Sequence, residues 1–231
     1  HCLFNLVFQT FGFYTNYMEK QEIRTFGRRH GKKLSARQQT LVATLLPAIT
    51  PKSSELNGGD AILEIGFGAG EHVRALAVQH PDTIIVGAEP FMNGVASLMS
   101  AMTDEKTNMP RTEYKNIRIW ADDVRDFLRG APNTKFREIW VLHPDPWPKA
   151  KHEKRRLLNA AFLTLISNYL TPDGRIIIGT DHWEYYDWIE QQIPNTPLVI
   201  RGRDMDMVHT RYQSKNKAET AAPKYLILGR A

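Results

Sequence analysis

Short apolar runs alternate with longer segments of helical periodicity over most of the chain. A run of about 4–8 apolar residues predicts a strand buried on both faces, and apolar residues spaced three and four apart predict an amphipathic helix. The predicted strands are 60–66, 83–89, 117–121, 136–143 and 175–180, followed respectively by helices over 71–79, 91–102, a short one ending near 129, 153–170 and 183–191. Five repeats of strand then helix predict an α/β, doubly wound fold with a parallel sheet covered on both faces. Two more strands, 198–201 and 224–228, follow without a long helix between them, so a mostly parallel seven-stranded sheet should close with an antiparallel C-terminal strand.

One further helix precedes these repeats. Ser35 stands at an N-cap position and Gln38 completes a capping box, so a helix should begin directly after Ser35. We divide the chain there into an N-terminal extension with a basic arm, 1–34, and a single domain, 35–231. The apolar stretch before Met18 lacks the basic start and cleavage site of a signal peptide, and Met18 is our hypothesis for the functional start.

Composition and charge narrow the possible functions. The chain has 231 residues, 42% hydrophobic and 24% charged, and one cysteine, Cys2, which excludes an intrachain disulfide. No apolar run approaches the roughly 18 residues of a membrane span, and we expect a cytoplasmic protein without a metal site. The formal net charge is +5, and its basic part is concentrated: residues 24–37 hold six Lys or Arg and no acid, and residues 149–156 hold five with one Glu. Because the rest of the chain is net acidic, these patches indicate a polyanionic partner bound at defined places.

A glycine-rich corner follows the first predicted strand of the repeats. Gly66, Gly68 and Gly70 would let the backbone approach a ligand beyond the carboxyl end of that strand. A dinucleotide fingerprint would need a further glycine where Glu71 stands. Together with Glu64, which precedes the glycines, this favours a ligand with cationic groups, such as an amino acid sulfonium cofactor.

Acidic residues also follow the next two strands. Glu89 lies 19 residues after Gly70, where a carboxylate can accept hydrogen bonds from two ribose hydroxyls. Asp122 and Asp123 follow the third strand, where a carboxylate could accept a hydrogen bond from an adenine amino group. Carboxylates at successive strand ends meet at one edge of a parallel sheet, which predicts a nucleoside site there.

The fourth strand ends in the loop Pro144-Asp145-Pro146-Trp147-Pro148. Three prolines in five residues make this loop stiff and exclude it from a helix or a central strand. A stiff loop with one carboxylate can position a ligand. Residues 149–156, the basic segment, follow directly and suit phosphate groups. Trp147 could either stack on a base or pack within the loop.

These features resemble the bacterial-type tRNA (guanine-N7-)-methyltransferases, which are class I S-adenosylmethionine-dependent enzymes with a Rossmann-like fold. The resemblance runs from about residue 24 to the C-terminus, in the segments RTFGRRHGKKLSARQQ, LEIGFGAGEH, GAE, WADDV, VLHPDPWPKAKHEKRRL, GTDHWEYYDW and TRYQSK. It implies transfer of a methyl group from S-adenosylmethionine to N7 of a guanosine in the variable loop of tRNA.

The resemblance also implies roles for single residues. The cofactor would be contacted by the glycine loop, which comprises Gly66, Gly68 and Gly70. The cofactor or the reaction centre would also be contacted by Glu64, Glu89, Asp122 and Asp145, with Asp145 as the catalytic residue. The substrate would be contacted by Lys149, Asp181, Thr210, Arg211, Tyr212 and Gln213. RNA would be bound by Lys151, His152, Lys154, Arg155 and Arg156. Two positions depart from the family pattern: Gln213 stands where Glu is usual, and Pro90-Phe91 is unusual after the acidic residue.

Three alternatives belong to other function classes. A noncatalytic RNA-binding protein would keep the fold without turnover, an alternative that Gln213 keeps open. A small-molecule methyltransferase would carry the basic patches only as surface, and would bind tRNA weakly and independently of salt. A nicotinamide dehydrogenase is disfavoured by Glu71.

Overall fold

The computed structural model describes residues 26–27, 29, 31–56, 58–203 and 222–231. Seven strands of this part form one sheet in the order β3-β2-β1-β4-β5-β7-β6. They are β1 Ala61–Ile65, β2 Ile84–Ala88, β3 Ile117–Trp120, β4 Phe136–Leu142, β5 Leu170–Thr180, β6 Leu198–Arg203 and β7 Lys224–Arg230. The first five strands pair in parallel, whereas β7 is antiparallel to both β5 and β6. The predicted mostly parallel α/β sheet with an antiparallel C-terminal strand is confirmed.

Helices cover both faces of this sheet. They are α1 Ala36–Thr44, α2 Leu46–Ile49, α3 Glu71–Gln79, α4 Met92–Met102, α5 Val124–Gly130, α6 Ala160–Ser167 and α7 Trp183–Gln192. Short 3-10 segments lie at Ser53–Glu55, Thr112–Tyr114, Ala150–Arg155 and Ile193–Asn195. None of the helices among the described residues combines the length and apolar character needed to traverse a bilayer.

Two apolar cores explain why the central strands read as continuous hydrophobic runs. Every residue of β1 is buried, and its side chains alternate between the faces of the sheet. Ile62 belongs to the core with α1, α3 and α4, while Leu63 belongs to the core with α5, α6 and α7. A strand packed on both faces has no polar side, which accounts for the sequence pattern.

The start of the domain follows the sequence expectation closely. The Ser35 side chain accepts a hydrogen bond from Gln38 N, and the Gln38 side chain accepts one from Ser35 N, so both halves of the capping box are present. Preceding residues of the predicted basic arm lie against the start of α4. Arg29 O accepts a hydrogen bond from Met92 N at 3.1 Å. Asn93 bonds the backbone of both Gly31 and Lys32. The division at residue 34 stays a prediction.

The helix predicted over 153–170 is wrong in extent. The basic segment forms the 3-10 turn Ala150–Arg155, the chain extends at Arg156 with φ −61° and ψ 127°, and α6 begins only after Asn159. The Asn159 side chain caps α6 by accepting a hydrogen bond from Phe162 N at 3.0 Å. The buried Arg156 is the residue at which the extended backbone links the turn to α6.

Candidate active site

A cavity of about 810 Å³ opens at the carboxyl ends of β1, β2 and β4. Its wall includes predicted site residues from each of these strand ends, among them Glu64, Glu89 and Asp145. Phe26 of the N-terminal arm and Arg155 of the basic segment complete its rim. The volume falls within the range of about 300–1,000 Å³ typical of small-molecule sites. Within the described residues no group of three or more His, Cys, Asp or Glu is arranged to hold a metal ion.

The glycine loop lines this cavity at two of its three glycines. Gly66 and Gly68 have φ of +75° and +58°, and a Cβ added at either would meet nothing within 4 Å. Gly70 is used differently, since a Cβ there would lie 2.6 Å from the Leu98 side chain. The sequence analysis missed Gly94 of α4, where a Cβ would lie 2.3 Å from Gly68 O. Two glycines therefore leave room for a ligand, and two let α4 approach the loop.

Glu89 is held by the backbone of the loops beside it. It is buried, and its two carboxylate oxygens accept hydrogen bonds from Gly68 N and Phe91 N, both at 2.8 Å. Burial raises the pKa of the Glu89 carboxyl, these two hydrogen bonds oppose the shift, and the neighbouring carboxylates of Glu64 and Asp145 add to it. Each carboxylate oxygen has a second lone pair, so Glu89 can still accept hydrogen bonds from a ligand.

Glu64 makes a buried contact that the sequence analysis did not predict. Its Oε2 lies 2.9 Å from Nδ1 of His72, in the first turn of α3, and both side chains are almost completely buried. The His72 ring lies 4.7 Å from the Trp140 ring. His72 also lines the cavity. This contact orients Glu64 at the start of the glycine loop, and the histidine directly after Glu71 is its only signal in the sequence.

The predicted adenine contact, Asp122, lies outside the cavity wall, where its carboxylate pairs with the Arg29 guanidinium. The next residue, Asp123, lines the cavity and caps α5 by accepting a hydrogen bond from Arg125 N at 2.9 Å. Burial opposes ionisation of Asp123, but hydrogen bonds from the Arg125 side chain and backbone outweigh it and lower the pKa of the carboxyl. A cofactor role for Asp122 stays a prediction.

The proline loop places Asp145 at the cavity in a strained backbone. His143 and Trp147, on either side of it, have φ of +49° and +43°, which is uncommon for residues other than glycine. Arg156 stabilises the loop, because its Nε donates a hydrogen bond to Pro146 O at 2.9 Å. The combined restraints hold Asp145 in one place, as a positioned functional group requires.

Asp181 reaches the same region from the end of β5. Its Oδ1 lies 3.7 Å from His143 Nδ1, and the His143 backbone N donates to Gly179 O at 2.7 Å. Burial lowers the pKa of the His143 imidazole, although the Asp181 carboxylate opposes this shift. Asp181 therefore lies beside the proline loop without lining the cavity itself.

The basic segment divides into exposed and stacked side chains. Lys149, Lys151 and Lys154 are exposed, and Lys154 lies on the cavity rim. The Arg155 guanidinium lies over the Trp147 ring at 4.9 Å and over the Phe26 ring at 5.5 Å. Trp147 thus packs against the basic segment and also lines the cavity, so stacking on a base stays a prediction. His152 meets the edge of the same indole, with ring centroids 5.7 Å apart.

Arg156 differs from the expectation of an RNA contact. Its side chain is 4% exposed, and its guanidinium lies 5.5 Å from the Tyr185 ring centroid and 5.0 Å from that of Trp188. Burial raises the pKa of Tyr185 to about 12, so this ring stays neutral. A buried cation that lies against two neighbouring rings is closed to a phosphate in this conformation. The other predicted substrate contacts, Thr210, Arg211, Tyr212 and Gln213, lie outside the described residues.

Known proteins resemble this chain in sequence and in fold. A family described as "Putative methyltransferase" matches residues 59–224. A tRNA (guanine-N(7)-)-methyltransferase of Sphingopyxis alaskensis is 38% identical over 218 residues, covering 85% of this chain and 90% of the relative. One of Rhodospirillum rubrum is 34% identical over 233 residues, covering 91% and 89%. The chain belongs to the tRNA (guanine-N7-)-methyltransferase family.

Membership of this family confirms the resemblance found in the sequence. A solved antibiotic-related methyltransferase shares the fold with a TM-score of 0.57 at 12% identity, covering 87% of this chain and 97% of that one. The methyltransferase family, rather than a nicotinamide dehydrogenase, thus accounts for the glycine loop with Glu71.

Proposed function

We propose that this member of the tRNA (guanine-N7-)-methyltransferase family transfers a methyl group from S-adenosylmethionine to N7 of a guanosine in the variable loop of tRNA. One observation carries the proposal. Asp145 lines the nucleoside-sized cavity from a conformationally restrained loop, and the exposed lysines of the basic segment follow that loop directly. A small cofactor and a polyanionic substrate can meet there.

The cavity residues fit this cofactor. The open space above Gly66 and Gly68 admits a ligand close to the backbone, and Glu89 offers acceptors for a ribose diol. Glu64, oriented by His72, lies where a cationic amino acid group would be favoured. When bound, S-adenosylmethionine supplies an electrophilic methyl group on a sulfonium.

The chain's own task is to position the base and to stabilise charge. Guanine N7 has an in-plane lone pair, so no proton has to be removed before it attacks a methyl group. The ring becomes cationic as the N7–carbon bond forms, and a fixed Asp145 carboxylate would stabilise that charge. The Asp181 carboxylate beside His143 can accept hydrogen bonds from the amino and imino groups of the base. Positioning the reacting atoms about 3–3.5 Å apart supplies the rest of the rate enhancement.

The RNA side is served by Lys149, Lys151 and Lys154, whose exposed ammonium groups can neutralise phosphates. N7 of a paired guanine faces the deep, narrow major groove of an RNA helix, which side chains enter poorly. We therefore expect the target base to be unpaired or displaced from its stack when it is methylated.

The experiment is methyl transfer from labelled S-adenosylmethionine to unmodified tRNA, with nucleoside analysis of the product. We expect 7-methylguanosine at a variable-loop position. Binding of both cofactor and tRNA without product would contradict the proposal and indicate a noncatalytic RNA-binding protein. Weak, salt-independent tRNA binding without product would instead indicate a methyltransferase for small molecules.

A further inference from the structure

Trp183 is exposed although it is one of the largest apolar side chains. It is 52% exposed, at the first position of α7 and two residues after Asp181. An isolated exposed aromatic residue needs no explanation by itself. The position of Trp183 does need an explanation. Helix α7 begins directly after β5, so Trp183 lies at the carboxyl ends of the parallel strands, where Asp145 also lies.

A cation holds this indole from one side. The Lys224 Nζ lies 3.4 Å from the Trp183 ring centroid and 4.9 Å from that of Tyr186. Lys224 is the first residue of β7 and pairs with Thr180 at the end of β5, so the two strands bring it to the same edge. Lys224 lies over the indole ring, and Trp183 is still 52% exposed, so among the described residues part of the indole surface stays accessible to a ligand.

We propose that Trp183, held by Lys224, is a stacking platform for an unpaired nucleobase of the RNA substrate next to the target guanosine. This inference rests on the proposed function. Exposed aromatic rings bind single-stranded RNA through the faces of its bases. Base stacking explains the site better than phosphate binding, because the exposed acids Glu184 and Asp187 follow on α7 and would repel a backbone along that helix.

The surface continues the proposed substrate site. Asp181 precedes Trp183 by two residues, and its carboxylate lies 3.7 Å from His143 beside the proline loop. A base bound at Asp181 and a neighbour stacked on Trp183 would lie along the same strand end. The platform would thereby hold the loop in the splayed form that access to N7 requires.

The test compares Trp183→Ala with Trp183→Phe and with Val78→Ala. Val78 is 54% exposed but lies near the end of α3, at the opposite edge of the sheet, which makes it a matched control. We expect Trp183→Ala to raise the Kd for unmodified tRNA roughly 5- to 150-fold, with partial recovery in Trp183→Phe. The Kd for S-adenosylmethionine should stay within twofold of wild type, and Val78→Ala should change neither constant.

A second measurement identifies the base and keeps the test independent of folding. Abasic substitutions are scanned through the variable loop of the tRNA, and each is bound to wild type and to Trp183→Ala. One abasic position should weaken binding to wild type and have no further effect in the variant. If Trp183→Ala binds tRNA within twofold of wild type, or if every abasic effect persists in it, the platform is overturned. Failure of the proposed function would appear separately, as absence of 7-methylguanosine from the wild-type reaction.

Discussion

Arg156 is the residue whose placement departs furthest from the sequence expectation, and Arg156→Ala tests it. The buried side chain donates a hydrogen bond to Pro146 O of the proline loop, and its guanidinium lies against the rings of Tyr185 and Trp188. Its two neighbours in the basic segment behave differently: Lys154 is exposed, and Arg155 stacks at the cavity rim.

The expected loss of stability follows from these contacts. A hydrogen bond from a charged donor contributes about 1.5–3 kcal/mol. A desolvated cation–π contact contributes about 2 kcal/mol. Removing the guanidinium also relieves the cost of burying its charge, which offsets part of both. We expect Arg156→Ala to lower the free energy of unfolding by about 3 kcal/mol, and the Tm by about 6–12 °C for a chain of this size.

The assay combines urea unfolding with the salt dependence of tRNA binding. Lys154→Ala is the matched control: its stability should stay within about 0.5 kcal/mol of wild type. Its plot of log Kd against log salt should flatten by about one unit for the lost phosphate contact. Arg156→Ala should lose stability without that flattening. A wild-type Tm together with a flattened slope in Arg156→Ala would refute the reasoning, because it would identify a free, phosphate-binding arginine.

Three further outcomes are expected. Burial raises the pKa of Glu89, and ribose hydroxyls need the ionised form as acceptor. Cofactor affinity should therefore fall with decreasing pH above the range in which an ordinary Glu titrates, and calorimetry should find that dependence absent in Glu89→Gln. Gly94→Ala should weaken cofactor binding and destabilise the fold by about 1–3 kcal/mol through its clash with Gly68 O, as measured by calorimetry and urea unfolding. The control Gly130→Ala has open space and should be neutral in both; equal effects would contradict the packing argument. Asp145→Asn should lower the rate of methyl transfer in single turnovers more than the affinity for tRNA, and equal losses would exclude a role at the reaction centre.

Features that depend on neighbours in the chain could be predicted. The capping box at Ser35 joins residues three apart, so its parts are visible in the sequence and recur in the structure. The same holds for the close approach of a ligand to Gly66 and Gly68, which the residue type indicated and which the open space at both positions permits. The helix over 153–170 was wrong in extent, because the local pattern does not show that Arg156 is buried against the distant helix α7 in an extended backbone.

The alternation of apolar runs and helical segments was enough to determine the α/β class, the parallel core and the edge at which the carboxylates meet. Local motifs were enough to indicate the family. Only the tertiary structure decided which side chains face the cavity. It placed Asp123 rather than Asp122 in the wall, joined His72 to Glu64, and enclosed Arg156 while leaving Lys154 exposed. The physical reason is that periodicity determines which face of an element is buried, whereas the partner of each polar side chain depends on elements that are distant in sequence.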